Sequence, residues 1–154
     1  MMVIIKDKKS KAMKFKYQNE LDFCLQHGSK MPQLNVPSDK ESFRFVFAEE
    51  KQKNHIPPHK LHPNRLKQQI ECGNIDISGF ALSNLETLGQ AMAFYHYLQN
   101  ICKNASKVIG DSLSFGVLKN EDGMITPTDS HGHFDLYESD CCNLNATFKI
   151  IQPL

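Results

Sequence analysis

The chain has 154 residues, 40% of them apolar and 23% charged, with a formal net charge of +1. Such a length is read as one domain, 1–154, that can bury about 68–70% of its unfolded surface in one core without disulfides or metals. The near-neutral charge excludes the global basicity of a general nucleic-acid binder, and no run approaches the ~20 apolar residues of a membrane span.

Met1 to Ile5 is too short for a secretory apolar region. The five cysteines (Cys24, Cys72, Cys102, Cys141 and Cys142) are odd in number and show no C-x-x-C spacing. The expectation is a cytoplasmic protein with reduced thiols.

In chain order, residues 6 to 16 hold six lysines (Lys6, Lys8, Lys9, Lys11, Lys14 and Lys16), a run that reads as a solvated arm or a guarded sheet edge. Met13, Phe15 and Tyr17 alternate with lysines and predict a short strand. Asn19 offers an N-cap and Gly28 a stop, which predicts a helix from about Glu20 to His27. Pro32 and Pro37 then mark a connection.

Phe43, Phe45 and Phe47 at alternate positions predict a strand with one aromatic face. Arg44 shares the opposite face with Val46 and Ala48, which leaves two readings: a guanidinium aimed into a cleft, or one that reaches solvent along its own stem. Glu49 to Gln69 carries Pro57, Pro58 and Pro63, three histidines (His55, His59 and His62), Lys60 and Arg65. It reads as a long loop followed by a short helix from about Asn64 to Cys72, and loops of that length in small domains are often functional. The three imidazoles are enough for a metal, but the prolines exclude one helix that would align them, and no metal is expected.

Phe80, Ala81 and Leu82 form an apolar run, and Ser83 and Thr87 each precede a Glu or Gln by three residues, so either can open a helix as its N-cap. Leu88, Ala91, Met92, Tyr95, Leu98 and Cys102 then recur at helical spacing, which predicts the longest helix of the chain and its buried face. Leu113, Phe115 and Val117 alternate, Asn120 to Gly123 makes a turn, and Met124 to Thr126 starts a return strand, so a hairpin is predicted. Phe134 to Tyr137 and Ala146 to Ile151 read as further strands, with His131 and His133 in the turn before the first of them. The order gives an α+β fold, a mostly antiparallel sheet packed by one long and one or two short helices.

Three segments carry a resemblance: Phe43-Arg44-Phe45-Val46, then Gly79-Phe80-Ala81-Leu82-Ser83 with the helix Gln90-Ala91-Met92-Ala93-Phe94-Tyr95, then Phe134-Asp135-Leu136-Tyr137-Glu138. Over about 95 residues this layout is similar to that of ADP-ribosyltransferase-like folds, including RES-type toxins. The resemblance implies that Arg44 and Ser83 hold NAD, the substrate, and that Glu138 is the catalytic carboxylate. Ala81-Leu82-Ser83 stands where the family has Ser-Thr-Ser. An Arg can grip a pyrophosphate bidentately, a strand-end Ser can orient a ribose or amide, and a carboxylate can stabilise an oxocarbenium-like centre. Two other classes are open: a non-catalytic module that binds a protein or nucleic acid through 49–69, and a metal-dependent enzyme built on His55, His59 or His62 with His131 and His133.

Overall fold

The aromatic strand is the inner strand on which the sheet is built. In the computed structural model, which describes residues 13–154, Lys40–Val46 forms β1, and along its whole length it pairs antiparallel with β3, Ser112–Leu118. On its other side β1 meets β2, Leu82–Leu85, at a single pair, Phe43 with Leu85. β2 pairs in turn with β5, His133–Glu138, and β5 with β4, Gly123–Ile125. The strand β6, Lys149–Pro153, closes the far edge, giving one six-stranded antiparallel sheet ordered β4-β5-β2-β1-β3-β6.

Strand alternation sorts the sheet into two faces. Phe43, Leu85, Leu113 and Phe115 lie on one face, and the long helix Leu88–Ile101 covers them through Ala91, Phe94 and Tyr95. Leu82, Leu118, Phe134 and Leu136 lie on the other, sealed by Cys142, Leu144 and Phe148. Gly116 is required there, because a Cβ on it would stand 2.2 Å from the Phe148 ring. The N-terminal helix α1, Gln18–Gln26, packs with Phe15 against Phe80, Met124 and Tyr137.

The α+β class and antiparallel sheet are as expected, and several local readings are corrected. The predicted hairpin does not form: Asn120–Asp122 is a 3-10 turn whose Asp122 carboxylate accepts the Lys119 N–H at 2.7 Å, and the chain then leaves β3 to pair with β5. The supposed loop 49–69 is largely helical, with a 3-10 turn at Lys51–Lys53, α2 at Pro58–Leu61 and α3 at Pro63–Glu71. Pro58 and Pro63 open those helices, since a first-turn proline forfeits no intrahelical bond. Met13 to Tyr17 makes only a bridge, Phe15 with Ser139, and Tyr17 rather than Asn19 precedes α1.

Ser83 is a strand residue and does not cap a helix; Thr87 caps the long helix, called α4, its Oγ1 accepting the Gln90 N–H at 3.2 Å. Ile77–Phe80 is a 3-10 turn before β2. Leu88 and Met92 are exposed, contrary to the predicted helix face, because α4 seats on the sheet along Ala91 and Tyr95. After α4 come α5, Ala105–Val108, and, between β5 and β6, α6, Leu144–Thr147, which replaces the start of the last predicted strand. Lys6 to Lys11 lie outside the described residues. Among the described residues no helix is long and apolar enough to cross a membrane.

Candidate functional site

Beyond the Phe43–Leu85 pair, β1 and β2 share no further register, and Arg44 bridges them. Its Nη1 donates to the Ser83 carbonyl, and its Nε donates to His55 Nδ1 at 2.9 Å. Burial draws its pKa down to about 10, against the pull of Glu138, Cys142 and Asp135. A guanidinium remains charged at that value. His55 is the acceptor, so its Nε2 carries the proton; burial, then Arg44 and Lys16, press its pKa down to about 3, and the imidazole is neutral. His55 holds φ at +58°, a left-handed conformation that costs a non-glycine residue about 1–3 kcal/mol.

Glu138 is on the same side of the sheet as Arg44 by strand alternation, at the end of β5. It is 3% exposed, and its Oε2 takes the Lys16 ammonium at 2.6 Å, while Lys16 also donates to the Cys142 carbonyl at 2.9 Å. Burial and then Glu138 push the Cys142 thiol up. Lys16 therefore ties the Glu138 carboxylate to the backbone of the segment 139–148.

Ser83 faces the other way. Its register partner is Asp135, and its hydroxyl lies 3.0 Å from His133 Nε2. The same Nε2 is 3.6 Å from Asp135 Oδ1, and His133 Nδ1 is 3.9 Å from Asp129 Oδ2. Asp129 is fixed by the N–H groups of His131 and His133, at 2.8 and 3.0 Å; the bond from His133, then that from His131, lowers its pKa. Burial raises that of Asp135.

Cavities extend to either side of Ser83. One, of about 310 Å³, is apolar, walled by Phe45, Ile56, Leu82, Leu85, Phe94, Leu98 and Ile109, with Arg44 on its lining. The other, also about 310 Å³, is polar and lined by His59, Arg65, Gln69, Asp76, Ser78, His133 and Asp135. Both include Pro58 and Ser83. Phe94 also lines a third cavity of about 600 Å³ with Gln90, Ala93, Tyr97, Ser130 and His131. The apolar and the third cavity run along α4 through Phe94, and the polar one continues from Ser83 to β5.

Of the three residues singled out in the sequence, Arg44 and Ser83 both line the apolar cavity, but the Arg44 guanidinium reaches Ser83 only at its backbone carbonyl, and Glu138 lies across the sheet from the Ser83 hydroxyl. The histidines disperse. His55 serves Arg44, and His59 is buried, its Nε2 2.7 Å from the Asp76 carbonyl and its ring over Gly79, where a Cβ would come within 2.1 Å. Among the described residues no three His, Cys, Asp or Glu side chains are grouped to hold a metal. The sequence reading gave His133 only a possible metal role and gave Asp135 and Asp129 none; alternation along β5 places His133 and Asp135 on the face opposite Glu138. Comparison with known proteins finds no family model, no curated protein and no solved structure that matches the chain.

Proposed function

We propose that the cleft binds NAD and that the protein consumes it as an ADP-ribosyltransferase-like transferase or glycohydrolase, with Asp135 in the part first given to Glu138. One observation carries the reading: an apolar and a polar chamber, each about 310 Å³, share the rim at Ser83. A flat pyridine ring matches the Phe45, Phe94 and Leu98 walls, and a ribose at the rim meets the Ser83 hydroxyl. Phosphates on the polar side meet Arg65. The adjacency of β1, β2 and β5, distant in sequence, also supports the layout that the resemblance implies.

The chemistry follows from charge. Breaking the bond between ribose and nicotinamide builds positive charge on the sugar carbon, and a carboxylate beside it stabilises that state. Asp135 stands directly across from Ser83 in the ladder, whereas the Glu138 carboxylate is engaged by Lys16 behind the sheet. The test is nicotinamide release from NAD, followed chromatographically. Asp135→Asn is expected to lower the rate about 10²-fold or more and Glu138→Gln to leave it within a few-fold. Loss in Glu138→Gln with a normal rate in Asp135→Asn refutes the assignment.

A further inference from the structure

Ser83 is exposed, yet its hydroxyl is not simply solvated. It is held 3.0 Å from His133 Nε2, and the far nitrogen of that ring faces Asp129, 3.9 Å away and pinned by two backbone N–H groups. A hydroxyl within hydrogen-bond reach of an imidazole, with a carboxylate beyond the ring, is the arrangement of a nucleophile and its base. In the tautomer with the proton on Nδ1, the Nε2 lone pair is free to take the Ser83 proton.

The surrounding charge decides which electrophile suits it. Asp135 Oδ1 is 3.6 Å from the same Nε2, so two carboxylates flank the dyad. Negative charge there opposes the oxyanion of acyl transfer and favours a cationic, oxocarbenium-like centre. We propose that Ser83 is itself the acceptor of the ribosyl group, forming a glycosyl-serine on the protein. This inference rests on the NAD reading and adds to it the identity of the acceptor.

The step balances within the site. The bond from Ser83 Oγ to the sugar C1′ forms as the bond from C1′ to the nicotinamide nitrogen breaks, and that electron pair leaves with neutral nicotinamide. The hydroxyl proton passes to His133 Nε2, and the imidazolium faces Asp129. Asp135 faces the sugar carbon and forms no bond to it.

The experiment is mass spectrometry of the intact protein after rapid acid quench, with NAD and with its 2′-fluoro analogue, which sheds a bound sugar more slowly. The expected result is one ADP-ribosyl group per chain, mapped by peptide sequencing to Ser83, and none in Ser83→Ala. His133→Gln should slow the gain about 10²-fold or more while NAD binding measured by calorimetry is retained. Binding and nicotinamide release without an adduct, or an adduct on another residue, overturns this inference and leaves the NAD reading standing. No NAD binding by the wild type overturns both.

Discussion

His55 pairs a left-handed backbone with a buried ring that accepts a hydrogen bond from Arg44. The arrangement has a sign in pH. Its folded pKa is about 3, against about 6.5 in the unfolded chain, so between those values the unfolded state takes up a proton that the native state refuses. Stability therefore falls as pH drops below about 6.5, and the contribution of this residue to the slope vanishes above that value. His55→Asn keeps a side chain that tolerates positive φ and an oxygen that can accept from Arg44, but it does not titrate. Urea denaturation at pH 7 and pH 4.5 is expected to show a larger loss for the wild type than for His55→Asn. Equal losses would mean that the buried ring is not the titrating group.

At the scale of elements, the division of labour between Ser83 and Thr87 is measurable. Thr87 caps α4 and Ser83 lies within β2 with its side chain in a cleft, so Thr87→Ala should lower the stability by about 1 kcal/mol and Ser83→Ala by less than about 0.5 kcal/mol. The reverse order in thermal or urea unfolding would place the cap at Ser83. The sequence left the two indistinguishable because both sit three residues before a Glu or Gln. β1 was readable because Phe43, Phe45 and Phe47 alternate, and α4 because its apolar residues recur at helical spacing. The hairpin was not, because β3 and β4 each find partners distant in sequence, and local turn residues do not encode which strand that is. The helices within 49–69 were hidden by prolines that open helices as readily as they break them.

At the scale of the whole molecule, the cleft is a product of sheet order. β5, β2 and β1 are neighbours, β1 and β2 stay paired at one position, and α4 leaves the Ser83 side of that seam open to solvent. The sequence singled out Arg44, Ser83 and Glu138 because each stands on a strand, but the side of the sheet each uses depends on register, which puts Asp135 rather than Glu138 on the face of the Ser83 hydroxyl. The central claim is that one elongated ligand occupies both chambers across Ser83. Calorimetric titration with NAD tests it most directly, comparing the wild type with Ser83→Trp, whose indole would fill the shared rim from an exposed position, and with Lys16→Ala on the opposite face. The account predicts one saturable site per chain, lost in Ser83→Trp and kept in Lys16→Ala; no heat of binding in the wild type, or wild-type affinity in Ser83→Trp, would contradict it.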